Sequence, residues 1–319
     1  MLTRLALLAL LWPSPAPAYV NPILGPINDP DCIRIDGLFH LIEPQGGPNG
    51  GYFNYRTSTD LVHWSAPVRI LQQPPGVALW QGSFYRDTDG QLYLYYAEVV
   101  PNQTKAIHVA AADSFTGPFQ DLGVIADNAI DPYPMRDPSG QLWLYYKNTL
   151  PDQKSIWVQA MADPATPAAP ARQILQPEPG TFEDNGYVSA EGPTVIRRGG
   201  YYFLLYSGGP FDQKTYAVGY AVSRNPDGPF RRGANNPILS ITRNPQVYSP
   251  GVPSVVRDGA GQSWLVYRQR LFGGLGAARM LTIDRLDDSG AYLGLLNANP
   301  TNGEQRPDPV PLPDPVPLP

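Results

Sequence analysis

Short apolar runs, each followed by a turn glycine and then by an aromatic-rich run, recur five times along the chain. The first run is β-branched or apolar, as in CIRI, TVIRR and SVVRD, and the second resembles QLYLYY or QLWLYY. Two such runs joined by a tight glycine turn are typical of a β-hairpin. An apolar stripe with the 3.6-residue spacing of a helix does not occur over any useful length. The pattern therefore predicts an all-β protein.

The five turn glycines set a long and regular period. They are Gly37, Gly90, Gly140, Gly200 and Gly261, so successive copies are 53, 50, 60 and 61 residues apart. A period of this length is typical of one four-stranded blade of a β-propeller, whereas a β-sandwich would not give so long and regular a repeat. We predict a five-bladed β-propeller with four-stranded antiparallel blades.

Acidic residues occupy one position of this repeat in three of its five copies. Nine residues before the turn glycine stand Gln81, Asp131, Glu191 and Val252, and Asp29 is the match in the first copy, which is one residue shorter. Because the first strand of each propeller blade lines the central axis, residues at matched positions converge there. Like charges brought together raise the free energy of the fold, so we expect such a cluster to have a function. These three acids are the candidate catalytic residues.

The cleavage of glycosidic bonds is a reaction that uses such acids. Inversion at the anomeric carbon needs a carboxylate base that activates water and a carboxylic acid that protonates the leaving group. A third acid beside the general acid raises the pKa of that group by like-charge repulsion and keeps it protonated near neutral pH. The three acids therefore predict an inverting glycoside hydrolase.

The composition argues against two classes of partner. The 319-residue chain is 42% hydrophobic and only 16% charged, with 38 Pro, 31 Gly, 19 Tyr and a net charge of −5. An acidic protein is poorly suited to nucleic acid or to an anionic membrane, whereas a neutral polysaccharide needs no strong field. We expect a carbohydrate substrate, no nucleic-acid or membrane partner, and a monomer.

Both ends of the chain have the pattern of segments outside the fold. Residues 1–18 combine Arg4, an apolar run and Ala-Pro-Ala, which predicts a signal peptide and export to the periplasm or the medium. A single cysteine, Cys32, excludes an internal disulfide framework. Residues 19–300 are assigned to the propeller, and the proline-rich tail over 301–319 predicts an extended polyproline II spacer.

Several motifs, in their order and spacing, are similar to those of glycoside hydrolase family 43. Along the chain they are NPILGPINDPDCIRIDGLFHLI, STDLVHW, AIDPYPMRDPSGQLWLYY, SAEGPTVIRRGGYYFLLYS and YAVSRNPDGPF. The likeness runs from about Asn21 to about Leu286. The resemblance implies that Asp29 is the general base, that Asp131 orients the general acid and tunes its pKa, and that Glu191 is that general acid.

The resemblance also bears on the substrate and on cofactors. It implies that Arg279 lies on the substrate side of the last blade and that the sugar is arabinofuranose or xylose in a plant cell-wall polymer. We expect Trp80 and Tyr187 to stack on sugar rings and Gln81 to belong to the substrate site. In blade five, Ser-Pro-Gly-Val252 stands where the family often has Gly-Pro-Gly-His, whose histidine is tied to an axial calcium or water. We therefore expect no required cofactor and no metal site, and the change argues against a structural axial calcium.

Three other functions stay open from the sequence. A retaining fructan or sucrose hydrolase on the same propeller also uses three acids, and Arg136-Asp137-Pro138 is similar to one of its motifs, although Asp137 is predicted to lie in a hairpin turn. A glycoside phosphorylase would need a basic cluster for phosphate, which is not evident. A non-catalytic carbohydrate-binding propeller would keep the aromatic residues but would not need three converging acids.

Overall fold

In the computed structural model, residues 19–46, 50–100, 104–151, 154–271, 277–288, 290 and 293–295 are described. The predicted signal peptide and the predicted proline-rich tail lie outside these residues. Within them the chain forms 21 β-strands and no helix. None of the described residues belongs to a helix with the length and apolar character needed to cross a membrane.

The strands form five separate antiparallel sheets, which are the five predicted blades. Blades one to five contain β1–β4, β5–β8, β9–β13, β14–β17 and β18–β21. In blade three the outer position is divided between two short strands, β12 and β13, which pair with different parts of β11. The strand bounds are β1 Asp31–Ile35, β2 Leu38–Gln45, β3 Tyr52–Ser58, β4 Val68–Gln72, β5 Ala78–Arg86, β6 Leu92–Val100, β7 Thr104–Ala112, β8 Gln120–Asp127, β9 Ala129–Arg136, β10 Leu142–Asn148, β11 Ile156–Asp163, β12 Thr166–Pro167, β13 Arg172–Leu175, β14 Ala190–Arg198, β15 Tyr201–Gly208, β16 Ala217–Ser223, β17 Arg231–Arg232, β18 Tyr248–Arg257, β19 Ser263–Arg270, β20 Arg279–Asp287 and β21 Gly294–Leu295.

The five repeat glycines all lie in the turn between the first and second strands of a blade. Their φ angles fall between +82° and +92°. Residues with a Cβ rarely adopt this left-handed region, whereas glycine does so without strain. The turn therefore requires the glycine that made the repeat visible in the sequence, and the predicted five-bladed propeller is confirmed.

The hydrophobic core consists of five clusters, one between each pair of neighbouring blades. Between blades one and five, for example, Phe39 and Leu41 pack against Trp264 and Val266. Burial of such aromatic and aliphatic side chains is the main favourable term in folding, at about 25 cal/mol per Å². Each blade thus depends on both neighbours, and the ring must close for every blade to be covered on both faces.

The ring is closed by the segment that precedes the first blade. Ile23 and Ile27 donate backbone hydrogen bonds to β20 in blade five, and Leu24 accepts one from it. The buried Asn21 side chain exchanges two hydrogen bonds, of 2.8 and 3.1 Å, with the backbone of Ile283. The start of the propeller is therefore fixed to its last blade, only a few residues before Asp29.

Candidate active site

An irregularity of the first strand positions the candidate acids. The pairing register between the first and second strands shifts at the repeat position of the acids in blades two to five. Asp131 and Val252 adopt φ angles of +58° and +55°, and Gly192, directly after Glu191, adopts +59°. Asp29, two residues before β1, also has a positive φ, of 28°. Such bulges redirect side chains and are common beside active sites.

One cavity of about 500 Å³ receives all three acids. Asp29, Asp131 and Glu191 line it together with Trp80 and Arg279. Its remaining walls are formed by other residues from the same end of the blades, namely Asn28, Pro44, Gln45, Gly46, Ala78, Leu79, Ile130, Phe211, Val252 and Arg268. The volume lies in the range of small-ligand sites, and several polar groups converge in it.

Asp29 is held by two arginines from blade five. Arg268 donates through Nε to Oδ1 at 2.7 Å, and Arg279 donates through Nη1 to both carboxylate oxygens at 3.2 and 3.1 Å. Burial alone would raise the pKa of Asp29, but the charges and hydrogen bonds of Arg279 and Arg268 outweigh burial and hold that pKa below its ordinary value. The side chain is therefore ionised at neutral pH, which a general base requires.

Glu191 accepts one hydrogen bond at each carboxylate oxygen. The ammonium of Lys147 lies 2.5 Å from Oε2, and the Tyr216 hydroxyl lies 2.6 Å from Oε1. Lys147 also donates to Ser189 Oγ at 2.9 Å. Both donors are buried, and neither lines the cavity, so they contact the carboxylate from behind. The charged form of Glu191 is directly stabilised by these two groups.

Asp131 takes no part in an ion pair among the described residues. Its Oδ2 accepts one hydrogen bond, from the backbone N–H of Gly192 at 3.0 Å. Burial, and next the charge of Glu191, raise the pKa of Asp131 to about 7. Lys147 and Tyr216, which contact Glu191, make no hydrogen bond to Asp131.

The remaining predicted substrate residues lie at different depths. Trp80 lines the cavity and is 38% exposed, with the Lys105 ammonium 5.1 Å from its ring centroid. Tyr187 is 41% exposed and does not line the cavity, although it lies only four residues before Glu191. Gln81 is buried, and its Oε1 has no hydrogen-bond partner. The cavity thus brings Trp80 and Arg279 to the acids, but it does not include Tyr187 or Gln81.

Sequence reasoning missed Lys147, Arg268 and Tyr216. The first two stand at one repeat position, seven residues after the turn glycine, on the second strand of blades three and five. Each contacts the acid of the next blade around the ring, which is Glu191 on β14 or Asp29 just before β1. This register was visible in the sequence and could have identified both cations. Tyr216 lies in a loop just before β16, outside the repeat, and offered no such signal.

The surroundings of Val252 do not fit a metal ion held by side chains. The backbone N–H of Val252 donates to Ser207 Oγ at 2.8 Å, so both groups are already engaged. In the described part of the chain, no three His, Cys, Asp or Glu side chains are grouped so that they could hold a metal ion. Calcium binds carboxylate and other oxygen ligands, and many transition metals bind imidazole. We therefore derive no chemical step through a metal.

Asp137 lies in the turn between β9 and β10, at the opposite end of β9 from Asp131. Its carboxylate accepts hydrogen bonds from the Ser139 backbone at 2.8 Å and from Trp143 Nε1 at 3.0 Å. These contacts stabilise a turn, as the sequence predicted. Despite the similarity of Arg136-Asp137-Pro138 to a fructan-hydrolase motif, Asp137 does not line the cavity.

A five-bladed propeller with an acid-lined cavity on its axis has the architecture of a glycoside hydrolase. The profile described as glycosyl hydrolases family 43 matches residues 19–289 of this sequence. The chain belongs to that family, and the likeness found in its motifs is confirmed.

Individual relatives are more distant. The chain is 25% identical, over 301 residues, to an extracellular exo-α-(1→5)-L-arabinofuranosidase of Streptomyces avermitilis; the match covers 85% of this chain and 61% of that protein. A solved thermostable family-43 glycoside hydrolase superposes with a TM-score of 0.74 at 22% identity, covering 93% of this chain and 100% of the other. An α-L-arabinofuranosidase from Lactobacillus brevis gives 0.70 at 20% identity, with 91% and 97% covered. The two structures establish the fold, and this chain spans about three fifths of the length of the Streptomyces relative.

Proposed function

We propose that the protein is an exported glycoside hydrolase that releases arabinofuranose or xylose from plant cell-wall polysaccharides or their oligosaccharides, with inversion at the anomeric carbon. The observation that carries this proposal is the pairing of two differently held carboxyl groups in one cavity. Asp29 is kept ionised by two arginines, and Glu191 faces the same space with its own donors behind it. Two carboxyl groups in separate environments are what acid–base cleavage of a glycoside needs.

The proposed reaction assigns one role to each acid. Asp29 accepts a proton from water, whose oxygen bonds to the anomeric carbon as the glycosidic C–O bond breaks. Protonated Glu191 transfers its proton to the departing oxygen, so the leaving group departs as a neutral alcohol. Asp131, with its raised pKa, stands beside Glu191 and supplies or withholds negative charge as it titrates. Arg279 keeps Asp29 ionised and also faces the cavity, where its unshared N–H groups reach sugar hydroxyls.

The sugar and the cellular location are proposed from the relatives. The Streptomyces and Lactobacillus proteins are named as arabinofuranosidases, and the former is named as extracellular. The signal pattern over residues 1–18 supports export, and N-terminal sequencing of protein recovered from the medium or periplasm tests it. We expect the mature N-terminus to fall directly after Ala18.

Product stereochemistry is the deciding measurement. A panel of p-nitrophenyl glycosides and arabino-oligosaccharides identifies the sugar, and proton NMR then follows the first product before mutarotation. We expect the inverted anomer, with the Asp29 and Glu191 carboxyl groups roughly 6.5–9.5 Å apart as in inverting enzymes. A retained configuration would overturn the inverting mechanism in favour of a retaining hydrolase. Sugar binding without turnover on any substrate would instead favour a binding propeller.

Metal independence gives a second test of the proposed chemistry. Because the surroundings of Val252 do not offer a carboxylate or imidazole cage, we expect full activity after exhaustive dialysis against EDTA. Activity is measured with and without added calcium on the same preparation. Loss of turnover that calcium alone restores would contradict this prediction.

A further inference from the structure

One position of the repeat supplies the partner of the acid position in the following blade in three of the blades. Seven residues after the turn glycine, the second strands of blades two to five carry Ala97, Lys147, Ser207 and Arg268. Lys147 contacts Glu191 of blade four, Ser207 accepts from the backbone of Val252 in blade five, and Arg268 contacts Asp29 of blade one. In each case the partner stands at the acid position of the following blade.

Blade two breaks this sequence of polar partners. Its residue at the same position is Ala97, which is fully buried and offers neither a charge nor a hydrogen bond. The acid on the following blade is Asp131, the member of the three without an ion pair in the described structure. At this position of the preceding blade, an arginine contacts Asp29 and a lysine contacts Glu191, whereas the blade before Asp131 carries an alanine.

Lys147 contacts Glu191 and does not face the cavity in which a substrate would bind. Its side chain is 7% exposed, and it is absent from the cavity wall. Its ammonium is held between Ser189 Oγ at 2.9 Å and Glu191 Oε2 at 2.5 Å. The charged and titratable groups that act on this carboxylate are Lys147 from β10, Asp131 from β9, Tyr216 before β16 and Arg268 from β19.

We infer that Lys147 is a positioning residue that sets the pH at which Glu191 loses its proton, and so fixes the alkaline limit of catalysis. This inference rests on the proposed role of Glu191 as the general acid. A cation in contact with a carboxyl group favours the ionised form and lowers the pH range over which the acid stays protonated. Lys147 thereby acts in opposition to Asp131, whose negative charge favours the protonated form of Glu191.

The test compares the pH dependence of kcat/KM in Lys147→Met with that of the wild type. We expect the alkaline limb to move upward by about 1–3 pH units, the range for removing an opposite charge in contact with an acid. The acidic limb, which reports Asp29, should stay in place. Lys147→Arg should return the alkaline limb towards its original position, and Asp131→Asn should move it downward. Opposite shifts from two neighbours are not what a general loss of structure would produce.

Lys214→Met is the matched control, because Lys214 is an exposed lysine in the loop before β16, without an ion pair in the described residues. It should leave both limbs unchanged. If Lys147→Met does not fold, Lys147→Gln retains a donor to Glu191 without the charge and should give the same upward shift. An unmoved or lowered alkaline limb in a folded neutral variant would overturn the inference.

A second measurement does not depend on turnover. The ¹³C signal of the Glu191 carboxyl, assigned by its loss in Glu191→Gln, can be titrated in wild type and Lys147→Met. We expect its midpoint to rise in the variant. Absence of glycosidase activity would refute the proposed function while this titration still decides the role of Lys147, so the two failures are distinguishable.

Discussion

The two ends of the propeller axis use the same repeat in opposite ways. At the end away from the acids, every first strand carries arginine at or next to its last residue: Arg34, Arg86, Arg136, Arg198 and Arg257. Four of these five arginines form ion pairs with aspartates, and the fifth, Arg34, lies over the ring of Phe39. At the cavity end, the matched positions carry Asp, Gln, Asp, Glu and Val, and one of the acids has no ion pair in the described structure.

The two ends of the axis differ in how their charges are paired. Arg136 lies 2.6 Å from Asp87 of the neighbouring blade, and Arg86 lies 2.7 Å from Asp36 of the blade before it. Arg86 and Arg136 therefore tie neighbouring blades together, whereas Arg257 pairs with Asp288 of its own blade. The residues at the acid position vary from blade to blade, which fits the separate role that we propose for each acid. A repeat position that is uniform and neutralised indicates architecture, whereas one that varies and leaves charge uncompensated indicates chemistry.

Substitution of Asp29, the proposed general base, should give the largest effect on catalysis. Asp29→Asn is nearly isosteric but cannot accept the proton of water, so we expect kcat to fall by about 10²–10⁴-fold on both activated and natural substrates. Steady-state kinetics on an aryl glycoside and an oligosaccharide measure this. Arg136→Met, at the other end, is the control and should retain wild-type kcat. Comparable losses in both variants would remove the distinction between the two ends.

The pH dependence of stability should report the unpaired acid. The pKa of Asp131 is raised to about 7 by burial, so the folded state binds a proton that the unfolded state has already released above about pH 4. Stability should therefore fall between about pH 4 and 7, by on the order of 3 kcal/mol from this group. Asp131→Asn should remove this group's contribution to the pH dependence of the free energy of unfolding. Urea unfolding at several pH values measures it.

A pH dependence from other buried acids should remain in that experiment. Burial also raises the pKa of Asp31 to about 6, so a smaller decline with increasing pH should persist in Asp131→Asn. Identical slopes in wild type and variant would mean that Asp131 is ionised throughout, and would contradict its unpaired state.

At the arginine end, removal of one inter-blade tie should lower stability without changing catalysis. Besides Asp87, Arg136 donates to the Tyr85 hydroxyl at 2.8 Å and to the Gly140 carbonyl at 2.5 Å, so Arg136→Met leaves three partners without this donor. We expect the free energy of unfolding to fall by about 1.5–3 kcal/mol, typical of hydrogen bonds to charged groups. Denaturant unfolding measures the loss, and kcat/KM on the folded variant should be unchanged. A reduced kcat/KM would show that the two ends are coupled.

The smallest effect is expected where the same tie is exposed to solvent. Arg86 and Asp36 side chains are 37% and 79% exposed, and exposed pairs contribute about 0–1 kcal/mol. Arg86→Met should therefore be nearly neutral in the same unfolding assay. A loss as large as that of Arg136→Met would indicate that position in the repeat, and not burial, determines the strength of these ties.

The fold and the positions of the three acids could be predicted from the sequence because both follow the repeat. The turn glycines need a left-handed φ, and counting from them located Asp29, Asp131 and Glu191 in one cavity. Lys147 and Arg268 were not predicted, because each contacts an acid of the following blade and a comparison of matched positions within one blade does not pair them. The protonation of Asp131 could not be read from the chain, since it depends on which neighbour the cation reaches.

Asn21 and Leu24 close the ring by pairing with the last blade, so the first segment of the propeller can be fixed only after the last blade has been made. Asp29 is among the first residues of the propeller to be synthesised, but both of its arginines belong to blade five, which is made last. Until that blade has folded, Asp29 lacks both arginine partners and the segment before it has no strand to join. A nascent or C-terminally truncated chain that lacks Arg268 and Arg279 would thus be inert, so hydrolysis would begin only once synthesis of the ring is complete.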